Sequence, residues 1–105
     1  MSEAVAGLGA LAQESRLSVF KLLVQAGPAG LAAGEIARLL GIPATTLSFH
    51  LSQLSRTGLV SARRAGRLLI YAADYGAAQA LVDFLMENCC QGASRPRARE
   101  KGRKR

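Results

Sequence analysis

The 105-residue chain has no tryptophan, three prolines, two cysteines and one histidine, and aromatic residues make up 5% of it. So few prolines leave room for long helices. The cysteines, Cys89 and Cys90, are adjacent. A bridge between them would close only a minimal, strained loop, which excludes a disulfide-stapled fold. His50 has no carboxylate or thiol close by in sequence, so it forms neither a metal site nor a catalytic pair. There is no glycine-rich phosphate loop and the acids are scattered singly, which makes an enzyme the least supported class. Apolar runs such as Leu68 to Ala73 are far too short to span a membrane. The first thirty residues lack the basic start, long apolar run and cleavage site of a secretory signal. A reducing cytoplasm is therefore expected, with both thiols free.

What is present is enough for one domain and too little for two independent cores. Half of the residues are hydrophobic. A chain this small keeps much of its surface exposed, so a core shared with a second copy is an easy route to stability. The net charge of +7 is unevenly spread. Residues 1–90 hold seven basic groups against six acidic ones, whereas residues 91–105 hold seven against Glu100 alone. The expected organisation is a folded domain over 1–90 and a disordered basic tail over 91–105. The charge points to a polyanion as the first partner to test.

Val5, Leu8 and Leu11 predict a helix over 3–13, and Leu17, Phe20, Leu23 and Val24 a second from about Glu14 to Gln25. Gly27, Pro28 and Gly30 break the chain before a third, from about Ala33 to Leu40. Pro43 suits the first turn of a fourth, whose stripe is Leu47, Leu51 and Leu54 and whose stop is Gly58. Leu59–Arg64 and Arg67–Ala72 read as a hairpin around Ala65-Gly66. Asp74 can cap a fifth helix from Tyr75 to about Asn88. The class is mainly α, a winged helix-turn-helix of five helices and a two-stranded β-hairpin wing.

The short break Gly41-Ile42-Pro43 before a helix that is apolar on one side suits a DNA-reading helix-turn-helix. If Leu47, Leu51 and Leu54 are buried, Thr45, Thr46, Ser48, Phe49 and Ser52 face double-stranded DNA. Short hydroxyls can approach phosphates and base edges, and Thr methyls and the Phe ring can meet a thymine methyl. No Arg or Lys lies among these five, so readout is expected to lean on shape and apolar contact. Arg63, Arg64 and Arg67 cluster at the hairpin tip, placed to enter a minor groove or grip phosphates. His50, one position from the apolar stripe, is expected to be partly buried or to face phosphate. The low charge of 1–90 favours two copies on two half-sites.

Cys89 and Cys90 follow the last amphipathic stretch and are expected to be accessible. Two thiols alone leave zinc two ligands short and favour soft, thiophilic ions. Trivalent arsenic is such an ion. Inorganic arsenite requires a third donor, whereas a methyl- or phenylarsenical(III) requires only two. On a helix the two side chains would stand roughly 100° apart, so binding would have to loosen the last turn.

The chain resembles the ArsR/SmtB family of metal(loid)-responsive repressors. The resemblance lies in Ala10-Leu11-Ala12-Gln13-Glu14-Ser15-Arg16-Leu17, Glu35-Ile36-Ala37-Arg38-Leu39-Leu40-Gly41-Ile42 and Thr46-Leu47-Ser48-Phe49-His50-Leu51. It extends through Leu54, Gly58-Leu59-Val60 and the wing Arg63-Arg64-Ala65-Gly66-Arg67 with Tyr71. It implies a homodimer paired through its first and last helices, with Val5, Leu8, Leu81, Val82 and Leu85 at the interface. It also implies an operator upstream of resistance genes, released when inducer binds. Glu87-Asn88-Cys89-Cys90 is similar to the arsenic-responsive branch that carries vicinal thiols at the end of the last helix. The implied inducers at Cys89 and Cys90 are As(III), methyl- or phenylarsenicals and Sb(III), with no cofactor required. Two alternatives stand beside this: the same DNA-binding protein with a thiol redox or persulfide switch, and a small non-specific nucleic-acid-binding protein driven by its tail.

Overall fold

The computed structural model describes residues 1–92. Five helices, α1 (Ser2–Leu11), α2 (Glu14–Ala26), α3 (Ala33–Leu40), α4 (Ala44–Arg56) and α5 (Tyr75–Met86), accompany three short strands, β1 (Leu31–Ala32), β2 (Val60–Ala65) and β3 (Leu68–Ala73). The strands form one antiparallel sheet in the order β1-β3-β2. The expected disordered tail over 91–105 lies outside the described residues apart from Gln91 and Gly92.

The apolar stripes converge on one core. Val19, Phe20 and Leu23 from α2 meet Ile36 from α3 and Leu47, Leu51 and Leu54 from α4, and Leu59, Val60 and Ala73 close the sheet side. Removing these side chains from water drives the assembly. Arg16 ties the first two helices together: its Nε donates to the Ala10 carbonyl at 2.7 Å, while its own N–H is capped by Gln13 Oε1 at 2.8 Å. At the end of α3, Gly41 takes the left-handed conformation (φ 65°), and the Ile42 N–H returns to the Ala37 carbonyl at 3.1 Å. Glycine adopts that conformation without a Cβ penalty, so the chain turns sharply into α4.

Three features depart from the expectation. The hairpin turns at Gly66-Arg67, one residue later than expected, because Ala65 pairs with Leu68. A third strand, β1, pairs Leu31 with Tyr71 and Ala32 with Ile70 and fastens the wing to the helical body. Helix α5 stops at Met86 rather than Asn88, and Asn88 and Cys90 take positive φ values of 59° and 69°. The vicinal thiols therefore lie beyond the helix, in turns. At its other end α5 begins one residue after β3: Asp74 alone separates them, its N–H bonded to the Leu59 carbonyl at 2.9 Å and its carboxylate capping the Ala77 N–H at 2.9 Å.

Candidate nucleic-acid interface and thiol pair

The buried side of α4 is Leu47, His50, Leu51 and Leu54. At about 100° per residue, the opposite direction is occupied by Thr45, Phe49, Ser52 and Arg56. Thr45, Thr46, Ser48, Phe49 and Ser52 are all exposed, as the one-sided pattern requires. Arg56, which the sequence reading left out of this face, completes the stripe in the last turn. Its position seven residues after Phe49 was the available signal. No side chain caps the start of α4 among the described residues. Its first N–H groups and the Thr45 and Thr46 hydroxyls are thus free to meet an anion such as a phosphate.

His50 lies deeper than expected, at 6% exposure, and its Nδ1 is buried without a hydrogen-bond partner among the described residues. Burial, aided by the nearby Arg16 guanidinium, holds the imidazole below its ordinary pKa. His50 thus belongs to the buried side of α4, with Nδ1 turned away from water.

The three wing arginines are not equivalent. Arg63 donates from Nη2 to the Ala29 carbonyl at 2.9 Å, which pins β2 to the loop before β1. Arg64 is exposed on β2 and Arg67 is exposed in the turn. On α3, Arg38 is paired with Glu35, whose carboxyl is lowered first by that hydrogen bond. Among the described residues, Lys21, Arg56, Arg64 and Arg67 are exposed and make no side-chain hydrogen bond or ion pair with protein groups; Arg56 ends the outward stripe of α4, and Arg64 and Arg67 lie at the wing tip.

Val5, Leu8, Val82 and Leu85 are exposed on α1 and α5, at 59%, 39%, 52% and 58%. Leu81 differs: it is half-buried and turns inward toward Gly7 of α1. A cleft of about 430 Å³ opens between the two helices, lined in part by Gly7, Leu59, Ala77, Leu81 and Phe84. Cys89 and Cys90 are free and exposed, with their Sγ atoms 3.3 Å apart. The expected 100° divergence does not arise, because the helix has already ended and the turns bring both sulfurs to one side. The neighbouring Cys90 pushes the Cys89 thiol up, first through their S–H···S hydrogen bond and then through charge.

The Helix-turn-helix domain model matches residues 11–62, which span α2, α3, α4 and the first part of β2. The HTH-type transcriptional regulator YgaV of Escherichia coli is 30% identical over 88 residues, covering 84% of this chain and 87% of that protein. The transcriptional activator HlyU of Vibrio cholerae is 31% identical over 90 residues, covering 86% and 81% respectively. The chain belongs to the ArsR-like family of winged helix-turn-helix transcriptional regulators. The solved HlyU structure aligns with a TM-score of 0.68 at 31% identity, covering 86% of this chain and 95% of that one. The winged helix-turn-helix domain of Mb0332 from Mycobacterium bovis, described as homodimeric and DNA-binding and as a possible ArsR-family regulator, aligns at 0.68 with 29% identity. It covers 91% of this chain and 89% of the solved fragment. The family's members act on DNA as transcriptional regulators, and this chain is a DNA-binding regulator rather than an enzyme. No helix among the described residues is long and apolar enough to cross a membrane.

Proposed function

We propose that the protein is a homodimeric repressor of metalloid resistance genes, released from its operator when an arsenical(III) or Sb(III) binds Cys89 and Cys90. The reading rests on the two exposed sulfurs standing 3.3 Å apart beyond α5. Two thiolates ~2.3 Å from a tetrahedral zinc stand about 3.8 Å apart; bonds of similar length set near a right angle bring them to about 3.3 Å. The pair thus fits a steep pyramidal centre, with bonds near right angles, better than a tetrahedral one. A monosubstituted arsenical needs no further donor: two S–As bonds form, two hydroxides leave arsenic, and the thiol protons complete two waters with no redox change. Arsenite or antimonite takes its third donor from water or a small thiol.

Dimer formation through α1 and α5 is supported by the exposed Val5, Leu8, Val82 and Leu85 and by the homodimer described for Mb0332. In that arrangement α4 enters the major groove of each half-site while Arg64 and Arg67 reach the flanking backbone. Residues beside the thiols lie next to the pairing surface, so a bound metalloid disturbs the spacing of the two reading heads.

Native mass spectrometry with phenylarsine oxide and with arsenite, beside operator release, tests this. One phenylarsenic per chain and release are expected, both lost in Cys89→Ser and Cys90→Ser. A second reading has one observation in its favour: a solved structure of the relative HlyU from Vibrio cholerae is described as reduced. Release by a peroxide or persulfide, with neither arsenical acting, would select that thiol switch instead.

A further inference from the structure

Phe49 is the most exposed aromatic ring of the described residues, at 57%, and it lies mid-way along the helix proposed above to enter the major groove. The other aromatics have structural work: Phe20 is in the core, Phe84 and Tyr71 are half-buried, and the Tyr75 hydroxyl donates to the Val24 carbonyl at 3.1 Å. The ring of Phe49 has only the tilted ring of His50 as an aromatic neighbour, at 6.1 Å between centroids. Thr45 and Ser52, above and below it on the outward stripe, are short, so the ring projects beyond both.

The surroundings of Phe49 decide what it can recognise. No cationic side chain lies on α4 before Arg56, so the bidentate pairing that reads guanine is missing from the first three turns. No Asn or Gln stands on the outward stripe either; Gln53 lies off it and is half-buried. The remaining base-edge feature of the major groove that an apolar ring can read is the C5-methyl of thymine. We propose that Phe49 is the main specificity determinant of the protein, packing against pyrimidine C5-methyl groups in each operator half-site. The ligand class is a C5-methylated pyrimidine, so 5-methylcytosine replaces thymine at that step better than cytosine does. This rests on the proposal that α4 reads operator DNA, and it adds which base feature is read and by which side chain.

The test begins with full-length protein selecting its preferred duplex from random-sequence DNA. That duplex is then resynthesised with deoxyuridine in place of thymine, first one position at a time and then at the equivalent positions of both half-sites, which deletes methyls and leaves every hydrogen-bonding group unchanged. Wild-type affinity is expected to fall about fourfold for one contacted methyl and about 15-fold for both half-sites. Phe49→Ala should bind the thymine and deoxyuridine duplexes alike, and Phe49→Leu should retain part of the difference. Because the ring is exposed, both variants should melt with the wild type, and their salt dependence should be unchanged. If no thymine-to-deoxyuridine change weakens the wild type, or if Phe49→Ala keeps the full penalty, the proposal is overturned and the ring is left to a protein partner. If selection enriches no sequence at all, the operator-reading proposal for α4 falls with it.

Discussion

Replacing each wing arginine with alanine separates two roles that look identical in sequence. A cation that neutralises a phosphate releases counterions and adds about 0.9 to the slope of log affinity against log salt. One such contact per protomer adds ~1.8 for a dimer. Arg64 and Arg67 are exposed and make no hydrogen bond to protein among the described residues, whereas Arg63 is bonded to the Ala29 carbonyl. Arg67→Ala is therefore expected to flatten the slope by ~1.8, and Arg64→Ala by a similar amount. Over the fourfold range from 50 to 200 mM salt, that difference amounts to roughly 12-fold in relative affinity. The penalty of the variant should thus shrink about 12-fold as salt rises across that range. Arg63→Ala should leave the slope nearly unchanged and instead loosen the wing, read as faster amide exchange in β1 and β2. Fluorescence anisotropy on operator and on random duplex gives the slopes, and phosphate contacts predict the same change on both. An unchanged slope for Arg67→Ala, or a full loss of ~1.8 for Arg63→Ala, would refute the assignment.

Three further outcomes follow from the buried histidine, the sheet and the thiols. Burial keeps His50 neutral below its ordinary pKa of 6.5, so between that value and its lower folded value the unfolded chain binds more protons. Stability should fall as pH drops through that window and level off below it, and His50→Gln should remove that slope in urea titrations run from neutral to mildly acidic pH. Gly30 sits at φ 74° with the Tyr71 carbonyl and, at 3.0 Å, the Ile70 Cγ2 where a Cβ would be. Gly30→Ala should therefore cost about 1–3 kcal/mol and unpair β1, visible as a lower thermal midpoint. Cys90 raises the pKa of Cys89, so Cys90→Ser should move the pH midpoint of Cys89 alkylation down toward the ordinary 9.0, and an unmoved midpoint would deny the sulfurs their contact.

The helices were legible because their ends are punctuated. Gly27-Pro28, Gly41 and Pro43 each bound a strongly periodic segment, and α2, α3 and α4 fall between them. Elements lacking such marks were not legible. β1 has two residues and exists only because β3 offers an edge, so no local pattern announces it. Met86-Glu87-Asn88 contains no helix breaker; the helix ends where Glu87 turns to an extended ψ of 134°, and Asn88 follows in a left-handed conformation that asparagine tolerates. On α5, Leu81 and Leu85 share one apolar face by spacing, yet the first packs toward α1 and the second is exposed. Periodicity finds a stripe without telling which part of it a neighbour covers. The same limit applies to charge: Arg63, Arg64 and Arg67 read as one cluster until Arg63 is seen to bond a carbonyl 34 residues away in sequence.

The lone Asp74 between β3 and α5 leaves no linker to absorb a displacement of the helix. Twelve residues of helix reach about 18 Å from that junction toward the cysteines, so a tilt of about 3° moves the far end by ~1 Å. β3 is held between β1 and β2 and cannot follow as a free arm, so such a tilt loads Asp74 and its bond to the Leu59 carbonyl, at the entry to β2.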